Sequence, residues 1–199
     1  MKNLTIILDP AHGADVKGKC SPDGVHKEYL WSRERVHKLE TLLISAGYKV
    51  FLTTDSNDEP GLSKRKEVAS KIEGSKKLLI SLHNNAAGDG SKWLKARGIA
   101  VYTTKGETKS DKCAEVIIRH FEKDFPELKM RKYSPKKMEE DFEENFTVLM
   151  GSNYMAVLIE WLFQDNKEDV ELLGNPSVNR RMEYSLLDAI EELDQKFSE

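Results

Sequence analysis

Two histidines and two glutamates stand where they could do chemistry. The stretch I-I-L-D-P-A-H-G at 6–13 ends an apolar run in Asp9-Pro10 and presents His12 on a Pro/Gly-punctuated loop. A second apolar run, 77–82, ends on His83, followed by Asn84, Asn85, Ala86 and Ala87. Small neighbours at both histidines leave room for an ion and a substrate. Glu28 opens a helical pattern, as a glutamate complementing the helix dipole or as a donor close to His12. Glu160 interrupts an apolar stretch between M-A-V-L-I and W-L-F. A charge there is costly unless it is paired or bound to metal. Glu160 is therefore a core salt-bridge member or a catalytic carboxylate whose basicity burial has raised. Zinc-assisted hydrolysis needs three N or O ligands, an open fourth position and a general base nearby. His26, two residues before Glu28, is a further candidate ligand. His37 and His120 fall inside helical patterns among charged residues and read as surface histidines. Cys20 and Cys113 show no C-x-x-C spacing and read as free thiols or one bridge, with Cys20 a space-filling residue rather than a ligand.

The elements that must position these groups follow from periodicity. Strands are predicted at 4–8, 48–53, 77–82, 98–104 and 154–159. Helices are predicted at 28–46, 62–72, 110–125, 167–173 and 178–197. Alternation of strands and helices indicates one α/β domain, residues 1–199, with a mostly parallel sheet and helices on both faces. In such sheets ligands bind beyond the carboxyl ends of the strands, which is where His12, His83 and Glu160 are expected. Residues 129–147 read as a charged insertion, basic first and acidic after. It is a solvated connection or a lid-like segment touching substrate.

With 31 basic and 34 acidic residues the formal charge is −3, which argues against a nucleic-acid partner. No window approaches the roughly 18 apolar residues of a membrane span. The first residues do not form a signal peptide. The chain is thus expected to be made in the cytoplasm as a soluble monomer, with any export by another route or after loss of a leader.

Taken together, I-I-L-D-P-A-H-G, Glu28, I-S-L-H-N-N-A and V-L-I-E-W-L-F-Q-D-N resemble the zinc-dependent N-acetylmuramoyl-L-alanine amidases of the type-3 family. The likeness runs from Leu4 to the final helix. The G-I-A-V-Y stretch at 98–102 and L-x-x-R at 62–65 also look like that family's signatures. The resemblance implies an α/β domain that cuts peptidoglycan between N-acetylmuramic acid and L-alanine. It implies one zinc ion on His12, Glu28 and His83, with Glu160 as the catalytic base. Asn85 matches a family position and is expected to touch substrate, to orient the His83 loop or to cap its own loop.

Some positions depart from the family pattern. Ala11 and Ala14 stand where glycines are usual, Thr53-Thr54 where an arginine is frequent, and Trp161-Leu162 follow the catalytic glutamate. The bulk of Trp161 is expected to reshape the substrate pocket. The chain shows no appended wall-binding repeat, so by analogy it looks like a phage or prophage endolysin acting on the cell wall after release, in the periplasm or outside the cell. Two other readings stand beside this one. One is a zinc peptidase cutting within the stem peptide, and the other is a non-catalytic peptidoglycan-binding module.

Overall fold

Strands covered on both faces need apolar residues at consecutive positions, and this chain supplies them in several runs. The computed structural model describes residues 2–132 and 140–198. In chain order the elements are β1 (Thr5–Pro10), α1 (Glu28–Ser45), β2 (Lys49–Leu52), α2 (Leu62–Lys71), β3 (Lys77–Asn85), β4 (Ile99–Thr103), α3 (Lys109–Asp124), β5 (Phe142–Glu143), β6 (Met155–Phe163), α4 (Lys167–Leu173) and α5 (Pro176–Lys196). The sheet runs β2-β1-β3-β6-β4-β5. Only the β4–β6 pair is antiparallel; the others are parallel. This is the expected α/β architecture.

Successive residues of a strand point to opposite faces, and here the two faces differ. Ile6, Leu8, Leu78, Ile80, Leu82, Val157 and Ile159 enter the main core with Leu39 and Leu43 of α1, Ile117 and Phe121 of α3, and Leu186 and Ile190 of α5. Ile7, Leu79, Ala156 and Leu158 form a smaller cluster on the other face, with Ala69 of α2 and Val148, Leu149 and Tyr154. That second face is thinly covered toward the carboxyl ends of the strands. Asp9, Ser81, His83 and Glu160 share the strand parity of this cluster.

Two boundaries differ from the sequence-based expectation in a way that matters. β3 runs on through His83 to Asn85, and β6 through Glu160 to Phe163. His83 pairs with Glu160 and Ala100 with Glu160, so the ladder continues past the apolar runs. His83 and Glu160 are therefore presented by strands, and only His12 lies beyond one. A strand holds a side chain more rigidly than a loop does.

Of the charged insertion at 129–147, residues 133–139 lie outside the described residues. The stretch after them includes a sheet edge: β5 pairs with β4, and buried Asp141 accepts a hydrogen bond from Thr103 Oγ1 at 2.6 Å. Before it, Lys129 passes so close to Gly98 that a Cβ there would sit 2.1 Å from its carbonyl oxygen; Gly98 also has φ +107°. Only glycine meets both conditions.

Cys113 is fully buried in the main core, and burial pushes its thiol up to about 12. Cys20 is half-buried, and both are free. Because the thiolate is the reactive form, alkylation of the native protein should stop at Cys20 and reach Cys113 only in denaturant. Thiol counting by mass spectrometry checks this; rapid native labelling of Cys113 would contradict the packing described. Among the described residues no helix is long and apolar enough to cross a membrane.

Candidate active site

His12 follows β1 with φ +42°, a strained conformation for a residue with a side chain. The surrounding backbone is tied down on several sides. Arg65 donates to the Pro10 and His12 carbonyls, the latter at 3.1 Å, and pairs with Asp9 at 3.0 Å and Glu59 at 2.8 Å. Arg33 donates to the Ala11 carbonyl at 2.9 Å. Ser32 of α1 accepts from Ala11 N at 2.8 Å and donates to the Leu82 carbonyl at 2.6 Å, locking the ends of β1 and β3 together. Gly13 is required beside His12, since a Cβ there would lie 2.1 Å from Glu59 N. Asp9, with only 1% of its surface exposed, meets no histidine ring. It instead accepts from Ser81 Oγ at 2.5 Å and from Thr53 and Arg65.

Glu28 is the first residue of α1, and it too is 1% exposed. Its carboxylate faces His83 Nδ1 at 3.1 Å and His12 Nε2 at 3.5 Å. It also accepts from Asn84 N and from Gln164 Nε2, both at 3.1 Å. Donor atoms of His12, Glu28 and His83 all lie within 4.8 Å of one another. The two imidazoles stand edge to face, with centroids 5.0 Å apart.

The charges at this cluster are set by burial and by one another. Burial lowers His12 to about 4, leaving a neutral imidazole with a free lone pair. Burial pushes Glu28 up, but the hydrogen bond and charge of His83 outweigh it and hold the carboxyl below its usual range. Burial likewise opposes protonation of His83, and Glu28 overcomes it, so His83 is raised. Neutral His12 and ionised Glu28 are in the forms that bind a cation, and His83 would give up its proton to join them. His26 stands apart: its Nε2 is 2.8 Å from Asn84 Oδ1, outside the cluster.

Glu160 lies opposite, on β6. Burial, chiefly, pushes its carboxyl up to about 7, and among the described residues Oε2 has no hydrogen-bond partner. Its antiparallel neighbour is Ala100, which leaves space beside it. His12, His83 and Glu160 open on a cavity of about 200 Å³ that is also lined by the charged residues Lys19, Glu59 and Arg65 and by the apolar residues Phe146, Val148 and Leu158. Phe146, inside the charged insertion, thus reaches the cleft.

Trp161 does not. Strand alternation sends it to the opposite face, fully buried 5.0 Å from Phe121 and 4.9 Å from Phe125. The expectation that its bulk reshapes the substrate pocket is corrected: it fills the core beneath Glu160. Asn85 faces the Tyr102 hydroxyl, and is absent from the cavity lining. A larger cavity, about 490 Å³, opens at the opposite end of the sheet. Its buried Lys77 is spent on the carbonyls of Ala69, Ser70 and Ile72, and it gathers no donor cluster.

Sequence reasoning missed Gln164, Asn84 and Arg33. No periodicity marks them, because Gln164 and Asn84 act where the β3–β6 register shifts between His83 and Asn85 and where Leu162 takes φ +62°.

A family model for N-acetylmuramoyl-L-alanine amidase matches residues 6–192. This chain belongs to that family. The "Probable cell wall amidase LytH" of Staphylococcus saprophyticus is 31% identical over 196 residues, covering 96% of this chain and 58% of its own length. The N-acetylmuramoyl-L-alanine amidase AmiC of Neisseria meningitidis is 25% identical, over 94% of this chain and 51% of its own. The chain therefore spans little more than half the length of these relatives. In fold it is similar to an N-acetylmuramoyl-L-alanine amidase from Clostridium difficile 630, with TM-score 0.83, 22% identity and coverage of 96% and 97% of the two chains. The catalytic domain of the amidase CwlV from Paenibacillus polymyxa gives TM-score 0.78 at 22% identity, covering 97% and 98%.

Proposed function

We propose that this amidase-family chain is a zinc-dependent hydrolase that cuts the amide between N-acetylmuramic acid and L-alanine in peptidoglycan. One observation carries the reading. The His12–Glu28–His83 donor cluster, with Glu28 its buried member, turns His12 and His83 into the cavity that Glu160 also lines, and Glu160 is a carboxylate raised in pKa whose Oε2 has no partner among the described residues. Two imidazoles and a carboxylate suit zinc with a fourth position left open. Zinc bound there supplies a Lewis acid, polarising the scissile carbonyl and letting water ionise near neutral pH.

The chain's own residues supply the rest. Glu160 takes the proton of the attacking water and returns it to the leaving L-alanine nitrogen, which cannot depart as an amide anion. A carboxyl near 7 can hold that proton and release it at neutral pH. Gln164 and Asn84 fix the Glu28 carboxylate, and Arg65 and Arg33 fix the loop that carries His12. Phe146, Val148 and Leu158 give the same cavity an apolar lining. On this reading the chain meets its substrate in the cell wall, where peptidoglycan lies.

Product analysis is the test. Purified peptidoglycan treated with the protein should yield new N-terminal L-alanine. A different new N-terminus would move the reading to a stem-peptide peptidase, and binding without release to a non-catalytic module. The metal is tested separately. Zinc at a hundredfold above its Kd should stabilise the fold by about 2.7 kcal/mol. For a domain of this size that is a rise in Tm of roughly 5–10 °C. The rise should vanish in His12→Ala; a rise of the same size in that variant would place the ion elsewhere.

A further inference from the structure

The cleft contains a cation that no side chain among the described residues neutralises at contact distance. Arg65 also lines the cavity, but its guanidinium is committed to Asp9, Glu59 and two carbonyls. Lys19 is different. It is half-buried in the cavity wall, and among the described residues its ammonium has no hydrogen bond or ion pair. It acts on Glu160 and His12 only through space.

Its backbone, by contrast, is held firmly. Glu28 N donates to the Lys19 carbonyl at 3.1 Å, and Ser21 N to the His26 carbonyl at 3.0 Å. Cys20 and Lys27 form an antiparallel bridge between them. Lys19 is thus built onto the residue that brings the Glu28 carboxylate to the donor cluster. The same cavity is lined in part by the apolar side chains of Phe146, Val148 and Leu158. An ammonium without a partner and apolar side chains lining one cavity, beside the reacting groups, suit a short anionic peptide with a small side chain at the scissile bond.

Peptidoglycan stems have that character. L-alanine is followed by a glutamyl residue joined through its side-chain carboxyl. Its α-carboxyl, one residue beyond the scissile bond, is either free or amidated. A single residue spans at most about 3.6 Å of extended chain, so this group lies near the cleft wall when the scissile amide is in place. We infer that Lys19 binds this α-carboxylate, so that the cleft discriminates stems with a free carboxyl from stems with an amidated one. This rests on the amidase reading. A carboxylate gives the ammonium a charge-assisted hydrogen bond, whereas a primary amide offers only a neutral acceptor. The difference should be about tenfold in affinity.

The test uses two muramyl dipeptides, one with the free α-carboxylate and one with its amide. Each is titrated calorimetrically into zinc-loaded Glu160→Gln protein, which is designed to bind without turnover. The carboxylate form should bind about tenfold more tightly, and added salt should shrink the ratio. Adding Lys19→Met should bring the ratio near one, and Lys19→Arg should keep it. The ratio is read within each variant, so a change in folded fraction cancels. A ratio near one with Lys19 intact, a ratio unchanged in Lys19→Met, or binding of neither dipeptide would overturn the inference. The amidase reading fails separately. If the wild type frees an N-terminus other than alanine's while the ratio behaves as expected, that reading falls and the carboxylate site stands.

Discussion

Glu160→Gln should lower release of N-terminal L-alanine from purified peptidoglycan by about a hundredfold to ten-thousandfold, the usual range for a general acid–base group. It should do so without loss of zinc. Glu160 lies outside the His12–Glu28–His83 cluster, so zinc content should stay at one ion per chain in both proteins. Nor should the fold suffer. A carboxylate whose Oε2 is buried with no partner among the described residues is a liability, and a neutral isostere removes the cost of desolvating its charge. The melting temperature should be unchanged or higher. This combination separates a catalytic group from a structural one. A member of a core salt bridge would lose stability on the same substitution, with activity falling only as the folded fraction falls. Retained release by Glu160→Gln would remove Glu160 from the mechanism.

The largest effect on stability is expected at Arg65. Its guanidinium is among the largest fully buried side chains, 1% exposed, and it joins Asp9, Glu59 and the backbone on both sides of the strained His12 loop. Arg65→Ala leaves the Asp9 carboxylate buried without its cation and leaves two carbonyls unpaired. Breaking a buried pair from one side costs about 3–5 kcal/mol. For 199 residues this is a fall in Tm of roughly 10 °C. Zinc affinity should drop as well, by about 10–100-fold, the range seen when groups that orient a ligand are lost. Arg65→Lys should recover little, because one ammonium cannot fork across two carboxylates and two carbonyls. The double variant Asp9→Asn/Arg65→Met should be more stable than Arg65→Ala, since the one charge it leaves without its cation, on Glu59, is partly exposed whereas that of Asp9 is buried. Thermal melts with and without zinc decide the matter. A loss below about 1 kcal/mol would mean that water reaches Asp9 and that the pair is not buried as described.

The sequence by itself determined the architecture and the identities of the groups that meet in the cleft. Alternating apolar runs and amphipathic stretches specified an α/β chain because burial follows periodicity directly. His12, His83 and Glu160 stood out because polar residues that close or interrupt buried strands have few cheap explanations.

Only the tertiary structure decided how these groups relate. His83 and Glu160 proved to lie within strands, because ladder pairing continues wherever a neighbouring strand offers hydrogen bonds, whether or not the side chains are apolar. Trp161 lies one residue from Glu160 yet on the other face, and strand parity, not proximity in sequence, assigned it to the core. Gln164, Asn84 and Arg33 carry no pattern of their own. Their roles come from hydrogen bonds made across 136, 56 and 22 positions of sequence. Nothing in the sequence singles out Lys19; the fold places it in the cavity wall, without a partner among the described residues. Periodicity reports which face of an element is buried; which groups face one another across a cleft depends on register, on the bulge at 83–85 and on helix placement, and those are properties of the folded chain.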